Sequence, residues 1–424
     1  MKNRNERLAL VMSGGGARGA YEAGVLHFIR TGLPKPFREL NFPIQCGSSV
    51  GAINISFMAS TADHPELQGE QLCRLWAEVK QEEIYYRNFK ALGNFLSNTF
   101  LGLTRNLTRL NPFASHKKSQ HHFHSVFNTA PFVEFLKKHV SWNKISQNVN
   151  SGRLKVVSLV TTRMKTGKTE LFVQKKPAIE YVGPYQVHEV DLNYSHAMAS
   201  AAIPFIFPSI AIDGHHYVDG GVRLNTPLSP AVQFGANKLF IVSLHSEARD
   251  LAQRQVDEKD VKDQGPPSVG EYLGKMLNGI FLDRLEYDME QMLRINQIIE
   301  RSVEVYGDDY LDKINAGLKK VLRSGQQAKR RFRSIEYIKI NPSTPISDVF
   351  YNWYNSHHHH PHFTTLENFI LRALDINQDA SLDLLSYLTF ASDYLKMLLQ
   401  LGYQDAAAKK DEIIAFFEKK PCNH

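Results

Sequence analysis

Three short glycine-framed segments among the 424 residues have the residue types and spacing for acyl-transfer chemistry. Gly47-Ser48-Ser49-Val50-Gly51 has the form GxSxG. In that form a serine occupies a strained strand-to-helix turn, and flanking glycines relieve clashes with the neighbouring strand and helix. Ser49, not Ser48, takes the nucleophile position. Gly14-Gly15-Gly16-Ala17-Arg18-Gly19 satisfies GxGxxG between an expected strand and an expected helix. Read alone, it is a dinucleotide fingerprint. The physics is broader, because glycines permit a tight turn and N–H groups at a helix N-terminus attract negative charge. That charge is either a pyrophosphate or the oxyanion of acyl transfer. A dinucleotide loop also calls for an acidic residue at the end of the second strand. Here Gly47 follows that strand and Glu39 precedes it. The third segment, Asp219-Gly220-Gly221, lies just after an expected strand. A partly desolvated carboxylate there can serve a serine as general base, since burial raises its pKa. Each segment also has a plain reading: a glycine turn, a chance GxSxG, an Asp-Gly turn. Their joint presence matches what a serine nucleophile needs, namely an oxyanion hole and a base.

The elements that must position these residues follow from hydrophobic patterning. Leu8 to Met12 reads as a buried strand and Arg18 to Arg30 as a helix, with Tyr21, Val25, Phe28 and Ile29 on one face. Ile44 to Cys46 is a short strand before the serine turn, and Val50 to Ser60 a small-residue helix. Strand, turn and helix occurring twice predict an α/β fold with a parallel sheet. Asp63 to about Asn150 reads as a mostly helical, aromatic insertion or cap. Leu154 to Arg163 and Thr169 to Val173 form a hairpin, and Ser195 to Ala202 a helix stopped by Pro204. Ile210 to Ile212 and His216 to Val218 form a second hairpin, and Leu239 to Leu244 a buried strand. The domain expectation is a catalytic part over residues 1–250, a linker over 251–270 and a mainly helical part over 271–424. In that last part Ile335 to Ile340 is a strand, and Leu366 to Leu374 and Leu382 to Leu401 are helices.

Taken together, these motifs resemble the patatin-like phospholipases. The resemblance rests on Gly14 to Gly19, on Gly47 to Gly51 extended by Ala52, Ile53 and Asn54, and on Asp219 to Pro227 with its Asn225-Thr226-Pro227. Ala199 to Pro204, running on to Pro208, is similar to the segment that precedes the family's aspartate. The likeness is strong over Leu8 to Leu244 and fainter beyond, where Leu401 to Ala406 resembles the end of bacterial members. It implies a three-layer α/β/α patatin-like fold with a mostly parallel sheet, a helical insertion and a helical C-terminal extension. It implies a Ser49–Asp219 dyad and not a triad. Ser49 attacks the ester carbonyl and Asp219 takes its proton. Backbone N–H groups of Gly15, Gly16 and Ala17 hold the oxyanion, and Arg18 fixes the loop or meets phosphate. Gly47, Gly51, Gly220 and Gly221 support the motifs. The substrate it implies is a glycerophospholipid, cleaved in the manner of a phospholipase A or lysophospholipase, and the dyad calls for no cofactor.

Composition narrows the remaining classes. Hydrophobic residues are 43% and charged ones 22%, ordinary globular usage. Cys46, Cys73 and Cys422 are too few for a disulfide framework and fit a reducing compartment. Met1 to Arg7 lacks a signal-peptide core, and the longest apolar run, Ala201 to Ile212, is about half the ~20 residues of a membrane span. The expectation is a cytoplasmic or peripheral-membrane protein, with export by a specialised secretion system left open. The net charge of +7 is concentrated: Lys313 to Arg333 holds eight basic residues and no acidic one, and without them 42 basic face 43 acidic. With the dyad reading, this segment points to an anionic lipid surface and not to nucleic acid. His116, His121, His122 and His124, and His357 to His360 with His362, form clusters without cysteines or paired carboxylates, so no metal site is expected. His215 and His216 offer a triad alternative beside Asp219. Two other functions stay open at this stage: a nucleotide-dependent oxidoreductase using Gly14 to Gly19, and a non-catalytic membrane-binding module.

Overall fold

Leu8, Leu10 and Met12 belong to one apolar cluster and Ala9 and Val11 to another. The same alternation splits Phe240 and Val242 from Leu239 and Ile241, and Val157 and Leu159 from Val156 and Val160. A strand with apolar side chains on both faces needs cover on both faces, so the sheet is the middle of three layers. Gly19–Thr31, Val50–Ser60, Pro65–Glu78 and Ser392–Ala408 cover one face. Leu228–Gln233 and Leu285–Tyr306 cover the other. The computed structural model describes residues 7–87, 125, 127–204, 206–246, 285–321, 332–356 and 385–419.

In chain order the strands are β1 (Leu8–Met12), β2 (Ile44–Ser48), β3 (Tyr86–Arg87), β4 (Phe127–Asn128), β5 (Val156–Arg163) and β6 (Lys168–Lys175). They continue with β7 (Gln186–Glu189), β8 (Ile210–Ile212), β9 (His215–Asp219), β10 (Lys238–Val242) and β11 (Glu336–Ile340). The main sheet runs β11-β10-β1-β2-β5-β6-β7, with β9 on β5 and β8 on β9. From β11 to β5 every pairing is parallel; β5 with β6 and with β9 is antiparallel. The sheet is mostly parallel, as expected.

Several boundaries move. The strand expected at Ile44 to Cys46 continues through Gly47 and Ser48. The cap read as helical contains the helices Pro65–Glu78, Gln81–Ile84, Ala130–His139 and Trp142–Ser151, and also the antiparallel ribbon β3–β4. Strand β7 and the helices Ile346–Ser356 and Lys410–Glu418 were not expected. The helix expected over Leu382 to Leu401 is broken at Thr389 to Ala391 and restarts as Ser392–Ala408. The linker at 251–270, the helix at Leu366 to Leu374 and both histidine clusters lie outside the described residues. So do residues 322–331 of the basic segment. Of its described part, Lys313 pairs with Asp309 at 2.6 Å, and Arg333 donates to the carbonyls of Ala236 and Val232. Among the described residues no helix is long and apolar enough to cross a membrane.

Candidate active site

Strand β5 brings the two candidate catalytic residues together. Its residues Val156 to Val160 pair with β2, and Thr161 to Arg163 pair with β9. Since β6 occupies the other edge of β5 along its whole length, β2 and β9 share one edge. They run toward each other there and meet end to end: Ser48 lies opposite Val160, and Asp219 opposite Thr161. Ser49 is the next residue after β2. The Ser49 hydroxyl donates to Asp219 Oδ2 at 2.6 Å. The other carboxylate oxygen, Oδ1, accepts the Gly221 N–H at 2.7 Å.

Ser49 has φ 52° and ψ −125°, in a region that non-glycine residues rarely occupy. This turn sits between β2 and the helix Val50–Ser60 and survives because its surroundings over-determine it. The Ser49 N–H donates to Ser200 Oγ at 3.0 Å, and the Ser200 hydroxyl donates to Val160 O at 2.6 Å. A Cβ on Gly51 would lie 2.4 Å from the Met12 carbonyl, and one on Gly47 would lie 2.4 Å from that of Gly51. Gly220 is pressed in the same way against the Val160 carbonyl. The GxSxG glycines are therefore places where backbone touches backbone.

Asp219 is completely buried. Burial is the dominant influence on its carboxyl and pushes it up to about 7; the hydrogen bonds from Ser49 and Gly221 oppose that rise. A carboxyl in this state switches between acid and base near neutrality, which suits a general base.

The glycine loop lies beside the serine. A Cβ on Gly14 would come 2.8 Å from Ser49 Cβ. The Gly14 N–H donates to Asn225 O at 3.2 Å, Asn225 Nδ2 donates to Gly14 O at 3.3 Å, and the Ser13 and Thr226 hydroxyls are 2.6 Å apart. The loop after Asp219 thus ties down the loop after β1. Gly15 precedes a short 3-10 turn, Gly16–Arg18, and Gly19 opens the long helix Gly19–Thr31. Gly16 has φ +56°, which only glycine adopts freely. Ala17 packs fully buried beneath the turn. The Arg18 N–H donates to Gly15 O, so at this N-terminus the N–H groups of Gly15, Gly16 and Ala17 are those placed as candidate anion donors. Arg18 itself is buried, and its guanidinium faces Ser386 and Tyr387.

Asn54 links the two motif helices. Its Nδ2 donates to Glu22 Oε2 at 2.8 Å and to Gly19 O at 3.1 Å, and its Oδ1 accepts the Trp76 indole N–H at 2.9 Å. Burial holds the Glu22 carboxyl well above the usual carboxylate range. His215 and His216 do not join the site. His215 lies 2.9 Å from Arg163 and His216 3.0 Å from Ser209, both exposed, whereas Asp219 meets Ser49 and Gly221.

A cavity opens at Ser49. It is small, and Ser49 and Gly16 are among the residues that line it. Val50, Ile53, Leu75, Trp76, Phe132, Phe207 and Phe390 are among its apolar walls. Trp76 and Phe390 are stacked, 6.3 Å between ring centroids. Val50 and Ile53 belong to the extended serine motif, and Ser200 and Phe207 to the Ala199 to Pro208 segment; the motifs gave no sign of Leu75, Trp76, Phe132, Phe390, Ser386 and Tyr387, which come from segments distant in sequence. Among the described residues no group of three or more metal-ligating side chains converges.

The comparisons with known proteins bear on the same residues. The crystal structure of VipD from Legionella pneumophila is similar over 92% of this chain and 91% of that one, at 12% identity and a TM-score of 0.27, too low to carry an argument. No curated protein matches. A model of the family described as "Patatin-like phospholipase" matches residues 10–232, a span that contains the glycine loop, the GxSxG turn and Asp219 and covers more than half the chain. The chain belongs to the patatin-like phospholipase family.

Proposed function

We propose that the protein hydrolyses carboxylic esters of glycerophospholipids, as a phospholipase A or lysophospholipase, through a Ser49–Asp219 dyad. The observation that carries this reading is the 2.6 Å Ser49–Asp219 hydrogen bond, with Ser49 lining an apolar cavity. The acyl chain lies in the cavity and its ester carbonyl sits at Ser49. Ser49 Oγ bonds to the carbonyl carbon as its proton passes to Asp219 Oδ2. The tetrahedral oxyanion is held by N–H groups of the Gly14 to Gly19 loop. Collapse expels the alcohol, which takes the proton from Asp219. Water then enters, gives a proton to Asp219 and attacks the acyl-serine, and release of the fatty acid returns that proton to Ser49.

Two alternatives lose support on the geometry. A dinucleotide reading calls for an acidic residue at the end of the second strand, and β2 ends instead in Gly47 and Ser48. A purely non-catalytic module gives no account of a strained serine bonded to a buried aspartate. The test is lipid product analysis on wild type beside Ser49→Ala, with fluorophosphonate labelling located by mass spectrometry. The expected result is label on Ser49 and fatty acid release that falls by about 10⁴-fold or more in the variant. Persisting hydrolysis, or label elsewhere, sinks the reading.

Peripheral contact with anionic membrane belongs to the same proposal. Arg333 is engaged with backbone carbonyls and Lys313 with Asp309, so the contact is assigned to the six basic residues between them. Each contributes about 1 kcal/mol at an anionic surface. Charge reversal of Arg323, Arg330 and Arg331 should weaken binding to phosphatidylserine liposomes and leave hydrolysis of a soluble ester unchanged. Equal liposome binding by the variant removes this assignment.

A further inference from the structure

The loop after β1 is held from two sides, and one of those sides lies outside the family-matched residues 10–232. From below, Asn225 and Thr226 fix Gly14 and Ser13. From the other side comes the helical turn 385–388, just before the break in the expected C-terminal helix. Arg18 Nε donates to Ser386 Oγ at 3.0 Å, and Nη2 donates to the same oxygen. The guanidinium carbon lies over the Tyr387 ring, 3.7 Å from its centroid. The Tyr387 carbonyl presses on Gly16 so closely that a Cβ there would sit 2.2 Å from the oxygen. Ser386 and Arg18 are both buried. A planar guanidinium held by a two-point hydrogen bond and an aromatic ring has little freedom left.

We propose that Ser386 and Tyr387 are positioning residues for the reaction: through Arg18 and Gly16 they hold the 3-10 turn Gly16–Arg18 so that its N–H groups face the carbonyl attacked by Ser49. The proposal rests on the Ser49–Asp219 reading. It follows from where precision is needed. A preorganised oxyanion hole stabilises the transition state only if its donors are fixed before charge develops, and an error of about 1 Å in such a site costs about 100-fold in rate. Four of the six residues of Gly14 to Gly19 are glycines, which add no side-chain packing, so contacts from outside the loop carry much of that rigidity. The same segment places Phe390 on Trp76 in the cavity wall and receives the Tyr85 hydroxyl on the Leu388 carbonyl at 2.9 Å. It therefore builds the acyl cavity and the turn together.

The experiment uses the full chain. Ser386→Ala and Tyr387→Leu are compared with wild type on p-nitrophenyl butyrate, a small ester that asks little of the cavity, and melting temperature is recorded for each. Tyr387→Phe keeps the aromatic ring, and Ser392→Ala removes a hydroxyl that bonds Ala77 O farther along the same segment. For a displaced oxyanion donor, kcat should fall by about 10- to 100-fold in Ser386→Ala and Tyr387→Leu with KM within about twofold. Fluorophosphonate labelling of Ser49 should slow by the same factor. Ser392→Ala should match wild type, and Tyr387→Phe should lose less than Tyr387→Leu. Ser386→Ala removes a single oxygen atom, so it decides alone if Tyr387→Leu does not fold. Folded Ser386→Ala protein with wild-type kcat overturns the proposal, as does an equal loss in Ser392→Ala. No label on Ser49 in the wild type overturns the dyad reading itself, a different failure.

Discussion

At the scale of residues, the proposed dyad turns on the proton of Asp219. Only the carboxylate can accept the Ser49 proton, and the carboxyl is pushed up from its ordinary 3.8 to about 7. Below that value most molecules hold a neutral acid that cannot act as base. The sign is therefore fixed: kcat/KM should rise with pH through about 7, with a single-proton acid limb, and level off above it. A profile from pH 4.5 to 9 on an uncharged ester checks this, and a limb centred near 4 would show that Asp219 is not the titrating base. The same shift acts on stability in the opposite sense. Between about 4 and 7 the folded protein holds a proton that the unfolded chain has released, so this group's contribution to stability declines as pH rises through that window. On the proposed reading, burial of the base thus costs stability at the pH where it would act. Ser49 and Asp219 were legible in the sequence because their motifs encode local backbone demands. The 0% exposure of Asp219, the cause of its shift, was not legible, since it depends on tertiary contacts such as the pairing with Thr161 and the Asp219 N–H bond to Ala202 O.

At the scale of elements, the site is a meeting of two strand ends on one edge of β5, and the cavity is a meeting of helices. The strands of the parallel half were readable because each is a short apolar run between turn residues, and two-sided burial makes such runs continuous. Strand β7, the ribbon β3–β4 and the break at Thr389 to Ala391 were not. They are edge or connecting pieces of two to four residues, too short to show a period, and tertiary contacts decide them. The break is informative in hindsight: Phe390 leaves the helical path and stacks on Trp76. Cavity length should set acyl preference. Val79 ends the helix Pro65–Glu78 and lines the cavity while buried. Val79→Phe should fill part of the volume, at about 1–3 kcal/mol of overpacking cost. We expect the ratio of kcat/KM on p-nitrophenyl palmitate to that on butyrate to fall by about 10-fold or more, since one methylene in a pocket is worth about 1–3 kcal/mol. An unchanged ratio would place the chain elsewhere.

At the scale of the whole molecule, the question is whether the family-matched residues are a folding unit by themselves. The geometry argues that they are not. The helices Gly19–Thr31 and Ser392–Ala408 touch backbone to backbone: a Cβ on Gly24 would lie 2.0 Å from Leu399 O, and one on Gly402 2.1 Å from Tyr21 O. The Tyr21 hydroxyl donates to Asp405 Oδ2 at 3.0 Å beside that crossing. Strand β11 pairs with β10 in register over five residues and covers an edge that would otherwise be open. Phe417 of the last described helix lies parallel to Phe240 of β10, 5.8 Å between centroids, and Lys238 donates to the carbonyl of Lys419 at 2.8 Å. Removing residues 247–424 would expose Tyr21, Val25 and Phe240 together, all fully buried in the intact chain. Each large apolar side chain so exposed forfeits about 1.5–3 kcal/mol, and a domain's whole stability is about 5–15 kcal/mol. A chain ending at residue 246 should therefore bind a hydrophobic dye, lack a near-ultraviolet circular dichroism signal and leave Ser49 unlabelled, although its three motifs are intact. A fragment that melts cooperatively and labels at the wild-type rate would show instead that the C-terminal part is an attachment, and that the glycine loop needs no support from it.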